Sequence, residues 1–125
     1  MKTISTSNAP QAIGPYSQAV QTNNLIFTSG QIALLPDGQF LEGDVEAQAH
    51  QVLKNLSAVF EEAGSSLQKV VKTTIFLSDM SLFAEVNEIY SRSFGDASVY
   101  PARETVAVKG LPKNAQVEIS MIACK

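Results

Sequence analysis

Two side chains near the end of the sequence, Arg103 and Glu118, have the types needed to handle a small anionic substrate. A guanidinium takes a carboxylate through two parallel N–H bonds, a geometry that lysine cannot reproduce. A glutamate within reach can orient or deprotonate a water and pass the proton on. Both lie in YPARETVAVKGLPKNAQVEISMIA, Tyr100 to Ala123, which reads as a strand, a Gly-Leu-Pro turn and a second strand, that is, a hairpin. Alternation puts Arg103, Thr105 and Ala107 on one side of the first strand. On the second it separates Gln116, Glu118 and Ser120 from Val117, Ile119 and Met121. The expected hairpin thus has one apolar face and one face carrying both the arginine and the carboxylate. The same alternation also fits a solvated face with a surface ion pair of little energetic value, the commoner outcome, so periodicity does not decide between them.

Other kinds of chemistry lack raw material. The only histidine, His50, falls on the polar side of an expected helix, and the only cysteine, Cys124, is next to the last residue. Zinc-type ligand clusters and a Ser–His–Asp arrangement are therefore not expected, and no Gly-x-Ser-x-Gly elbow occurs. Neither a P-loop nor Gly-x-Gly-x-x-Gly is present, so no nucleotide cofactor is expected, and no metal. Any catalysis would rest on carboxylate, guanidinium, hydroxyls, amides, backbone groups and water.

The chain has 125 residues, 45% hydrophobic and 17% charged, which suits one globular domain over 1–125 with a real core. A net charge of −3 without a basic cluster leaves no electrostatic footprint for nucleic acid. A lone cysteine fits a reducing cytosol, and no stretch has the apolar character of a signal peptide or a membrane span, so a cytoplasmic protein is expected.

The elements that must position Arg103 and Glu118 are legible in outline. Residues 2–5 suggest a short strand, Tyr16 to Val20 a second, and Leu25 to Ser29 a third, with a turn at Asn23-Asn24. Asp44 is the expected N-cap of a helix whose apolar residues run from Ala49 to Ala63, with Gly64 as its stop. Residues 69–78 read as a long strand with Thr73, Ile75 and Leu77 on one face and Val70, Lys72, Thr74 and Phe76 on the other. Ser81 is the expected cap of a second helix ending at Gly95, with Phe83, Val86, Tyr90 and Phe94 as its buried stripe. Asn87 falls on that stripe, so it is either paired inside the core or turned toward a site, because an unpaired buried amide costs roughly 1–3 kcal/mol. The order implies an α+β fold: a mixed sheet with both helices on one face. The uncovered sheet face would carry apolar groups, so association through it is expected.

The run PAR-x-T-V-x-V-x-x-LP-x-x-A-x-VEI resembles the signature of the Rid (YjgF) family of reactive intermediate deaminases, most closely its RidA branch. AIGPYSQAV, IFTSGQI and VKTTIFLSDMSLFAEVN extend the resemblance over the whole chain, each in its family position. It implies a chorismate-mutase-like fold, a homotrimer with clefts between neighbouring subunits, and cofactor-independent hydrolysis of 2-aminoacrylate and 2-aminocrotonate, or their imines, to 2-keto acids and ammonia. By the same resemblance Arg103 would bind the substrate carboxylate and Glu118 would activate water. Tyr16, Ser29, Gly30, Asn87 and Thr105 would line the cleft. The inventory of side chains suits that reaction, since imines of 2-keto acids place a carboxylate beside a C=N bond that water already attacks. In this arrangement Arg103 would lower the pKa of Glu118 and burial would raise it. The sequence departs from the family pattern at Glu104, commonly a small hydroxyl residue and expected to point away from Arg103, and at Thr105, a cysteine in several relatives. The rival reading is a non-catalytic binding regulator holding a keto acid or amino acid in the same cleft; RNA-directed and chaperone-like roles have less support.

Overall fold

The longest helical pattern in the sequence becomes α1, Val45–Glu62, in a computed structural model that describes residues 1–125. Its N-cap is Asp44, whose carboxylate accepts from the Ala47 N–H at 2.9 Å, as expected. Gly64, at φ +78°, adopts the left-handed conformation that turns the chain away beyond the helix end. Val52, Leu56, Val59 and Phe60 of α1 are fully buried, while His50 lies exposed on the opposite side. The second helix, α2, spans Phe83–Ser93. Ser81 does not cap it; Asp79 caps a short 3-10 turn, Met80–Leu82, by accepting from the Ser81 N–H at 2.8 Å, and α2 continues from that turn. The extended backbone of Asp79 lets its carboxylate reach forward, which leaves Ser81 inside the turn.

Six strands, β1 Lys2–Ile4, β2 Ala19–Thr22, β3 Leu25–Thr28, β4 Val70–Leu77, β5 Ala102–Ala107 and β6 Val117–Cys124, form one mixed sheet in the order β1-β2-β3-β6-β4-β5. With α1 and α2 packed on one face, this is the expected α+β layout. β2 begins at Ala19 rather than at Tyr16, because the residues before it are held in irregular backbone. The Tyr16 N–H donates to the Gly14 carbonyl at 2.8 Å, and the buried Gln18 amide ties down Thr6 and Pro10.

The expected hairpin between β5 and β6 does not exist. β4 lies between them, parallel to β5 and antiparallel to β6. A parallel pair needs a crossover, and α2 supplies it between β4 and β5. The Val108–Gln116 connection is a wide passage with a 3-10 turn at Pro112–Asn114, where Lys113 and Asn114 are both left-handed. This insertion also corrects the faces. Thr73, Ile75 and Leu77 are buried against the helices, and Arg103 and Thr105 stand in register with Thr73 and Ile75 on that side. Glu118 is in register with Phe76, on the other side. Arg103 and Glu118 of one chain therefore lie on opposite faces of the sheet rather than on the same one. A β-bulge between Val70 and Lys72 adds a smaller correction, turning Val70 inward and leaving Val71 exposed.

The uncovered face carries Phe27 at 37% and Val106 at 45% exposure among polar neighbours, an apolar character consistent with the expectation from sequence. Glu104 points to this face, as expected. It pairs with Lys72 at 2.9 Å and accepts from the Thr74 hydroxyl, and these hydrogen bonds, Thr74 first, hold its carboxyl below the usual range.

Candidate active site

Glu118 and Arg103 each line a separate hollow. Around Glu118 the wall is built by the β3 end and the N-terminal loop. Gln31 exchanges two backbone hydrogen bonds with Ile119, at 2.8 and 3.1 Å, which fixes the strand end beside β6. The buried Asn55 amide of α1 donates to the Leu34 carbonyl at 2.8 Å and holds the segment after it. Gly30 is thereby pressed against the carboxylate: a Cβ there would lie 2.7 Å from Glu118 Oε2 and 2.9 Å from its Cδ. Ser29 is fastened by its hydroxyl, which donates to the Ser17 carbonyl at 2.6 Å, and by its N–H, which donates to the Gln18 carbonyl. Tyr16, half exposed, completes this hollow together with Gln18 and Lys113.

Within the chain Glu118 accepts no hydrogen bond and pairs with no cation. Burial alone pushes its carboxyl above the ordinary carboxylate range. The opposing pull expected from Arg103 is absent, because the sheet separates the two groups. A carboxylate kept free of partners and moved toward neutral pH has the properties of a general base or acid.

The Arg103 hollow is framed by α2 and the entry to β5, with Asn87, Tyr90, Ser91, Tyr100 and Pro101 as walls. Arg103 Nη1 donates to Asn87 Oδ1 at 2.8 Å. The guanidinium carbon lies 5.0 Å from the Tyr90 ring centroid and 5.6 Å from that of Phe83, in cation–π range. No carboxylate of the chain pairs with Arg103, so part of a five-donor fork remains for an anion. Asn87 is thus satisfied by a neighbour in a hollow rather than by core backbone, the second of the two alternatives the sequence left open.

Of the residues singled out from sequence, the structure brings Tyr16, Ser29, Gly30 and Glu118 together, and separately Asn87 with Arg103. Thr105 lines neither hollow; its Oγ1 is buried without a hydrogen-bond partner on the Arg103 side of β5. The hollows also take in Tyr90, Tyr100, Gln18 and Lys113, which the sequence does not mark as lining residues; Tyr90 reads as part of the apolar stripe of α2. Their signal was weak: glutamine in a loop, lysine in a turn and an aromatic on a buried stripe carry no spacing specific to a site.

Residues 6–125 match a family model described as Endoribonuclease L-PSP. A RutC family protein of Aquifex aeolicus is 50% identical over 126 residues, spanning 100% of both chains. The chain belongs to the Rid/YjgF superfamily. The chloroplastic Reactive Intermediate Deaminase A of Arabidopsis thaliana is 49% identical over 96% of this chain and 64% of that protein. The crystal structure of E. coli TdcF with bound serine superposes with a TM-score of 0.94 at 41% identity, covering 100% of this chain and 99% of that one. Membership in the superfamily supports a hydrolase or deaminase activity of the general imine- and enamine-handling kind. No helix of the chain is long and apolar enough to cross a membrane.

Proposed function

We propose that the protein is a cofactor-independent 2-iminobutanoate/2-iminopropanoate deaminase of the RidA type, acting as a homotrimer in which Arg103 of one subunit and Glu118 of a neighbour share a cleft. The observation that carries the reading is the separation of two incomplete half-sites: a guanidinium without an anion and a carboxylate without a cation, on opposite faces of one sheet. A second copy packed against the chain can bring such halves together, which no rearrangement of a single sheet could do. The apolar character of the uncovered face supports association.

In this reading Arg103 takes the substrate carboxylate through the N–H groups that Asn87 leaves free, holding C2 in place. An enamine such as 2-aminoacrylate first gains a proton at C3 and loses one at nitrogen, giving the imine. Glu118 then accepts a proton from a water as its oxygen bonds to C2 and the C=N π pair moves to nitrogen. That proton is delivered to the nitrogen, giving a carbinolamine; Glu118 then takes the hydroxyl proton and passes it to the amino group, so the C=O bond forms as the C–N bond breaks, ammonia leaves, and the 2-keto acid remains. A glutamate that can both accept and return a proton suits both halves of that transfer.

The test is keto acid release from 2-aminoacrylate generated by a serine or threonine dehydratase. Faster release with the native protein, and background release with Arg103→Ala, is the expected result; equal release in all samples would overturn the deaminase. The serine held by TdcF favours a second reading, a non-catalytic regulator that binds a small amino or keto acid. In that case the native protein would bind pyruvate or serine without accelerating release, and Glu118→Gln would change nothing. The RNA cleavage suggested by the family model's description finds no support in a chain of net charge −3 without a basic stripe.

A further inference from the structure

Tyr90 has a polar attachment that its place in the core does not require. It is 4% exposed, and its hydroxyl donates to Thr73 Oγ1 at 2.9 Å; Thr73 is 0% exposed. Burial raises the tyrosine's pKa, so the hydroxyl stays protonated and able to donate. Phenylalanine and valine would fill nearly the same volume without burying two hydroxyls. Replacing both partners of such a bond by apolar groups of the same shape is close to neutral for stability. The hydroxyl pair therefore needs a reason other than cohesion of the core.

The reason lies one strand away. Thr73 is the residue that stands beside Arg103 in the β4–β5 register, and the Tyr90 ring lies under the Arg103 guanidinium at 5.0 Å. Phe83, Asn87 and Tyr90 are four and then three residues apart on α2, so they share one helix face. Phe83 supplies a second ring at 5.6 Å, and Asn87 fixes one nitrogen of the fork. A phenyl ring held only by apolar contacts can rock about its two side-chain torsions. Tethering its far end to β4 removes that freedom and fixes the tilt of the π face.

We propose that Tyr90 is a positioning residue for Arg103. Its hydroxyl, anchored on Thr73, orients the ring that carries the guanidinium and so aims the free N–H groups at the incoming carboxylate. The proposal rests on the carboxylate-binding reading of Arg103. It predicts that the Thr73–Tyr90 bond, buried beneath the hollow, controls affinity for carboxylates.

Two readouts test it on the full-length protein. One is the Arg103 Nε–H resonance without ligand, assigned by its loss in Arg103→Lys; the other is the affinity for 2-ketobutyrate by calorimetry. Tyr90→Phe and Thr73→Val should each shift or broaden the resonance and weaken binding about fivefold, while melting stays cooperative. The double variant should be no worse than either single one, since one bond is lost in all three. Thr73→Ser, which keeps the hydroxyl, should restore both readouts. A native resonance and native affinity in Tyr90→Phe and Thr73→Val would overturn the positioning role. Failure of the native protein to bind 2-ketobutyrate would instead overturn the carboxylate-binding reading, and the resonance would still decide whether Tyr90 orders Arg103.

Discussion

Gly30→Ala isolates the placement of the Glu118 carboxylate from the stability of the fold. The backbone at Gly30 has no left-handed strain, so alanine can adopt it, but the new Cβ would lie 2.7 Å from Oε2. That is about 0.7 Å inside ordinary van der Waals contact, and the atoms it meets belong to the movable end of a side chain. The glutamate can therefore swing away at small cost, and the expected loss of stability is under about 1 kcal/mol. Catalysis should suffer far more, because a displacement on the order of 1 Å at a reacting group costs about a hundredfold in rate. The assay is keto acid release from 2-aminoacrylate, with thermal melting of the same preparations. Native activity in Gly30→Ala would refute the claim that Gly30 exists to admit the carboxylate. A loss that merely tracked a collapse of the melting temperature would refute the claim that the glutamate yields first.

Two further predictions follow from local geometry. Because burial raises the Glu118 pKa, the folded state holds that proton to higher pH than the unfolded chain does. Its contribution to stability is then fully present below the unfolded value of about 4.3 and is lost as pH rises through the folded value. Glu118→Gln should therefore melt higher than the native protein by a margin that grows from acid to neutral pH. The native kcat/KM should rise with pH as Glu118 ionises, and a margin independent of pH would contradict the assignment. Asp44→Ala removes the acceptor for the Ala47 N–H and should cost about 1 kcal/mol by urea unfolding, with kcat/KM unchanged, since neither Asp44 nor the first turn of α1 lines either hollow.

What the sequence disclosed, and what it did not, divides along physical lines. α1 was legible from Asp44 to Gly64 because a carboxylate cap, helical spacing and a left-handed glycine are local signals that agree. The β-branched run of β4 was equally plain. The pairing of β5 was not, since two strand patterns separated by a Gly-Leu-Pro turn look alike whether they pair directly or admit a third strand. The clue was α2 itself, a helix between two strands, which favours a parallel crossover over a hairpin. A direct β5–β6 pairing would set Arg103 and Glu118 on one face; alternation sorts residues into two sets and cannot say which set of a neighbouring strand shares their side. Residue type and position point to Arg103, Glu118 and Asn87, and resemblance adds Tyr16, Ser29, Gly30 and Thr105, but neither gives their division into two hollows, because motif order carries no information about which side of a sheet each motif reaches. The spacing of Tyr90 on α2 reads as core, which is true of its ring and incomplete for its hydroxyl.

The central claim is that one working cleft takes Arg103 from one subunit and Glu118 from another, and subunit mixing tests it directly. Arg103→Ala and Glu118→Gln would be prepared separately, each expected to be inactive, then unfolded, combined in equal amounts and refolded together. In random mixed trimers a cleft is intact when the subunit lending the arginine and the neighbour lending the glutamate each kept it, giving about a quarter of the native clefts. Recovery of roughly that share of native keto acid release is the expected result. A mixture as inactive as its two parents, from trimers shown to have exchanged subunits, would contradict a shared cleft.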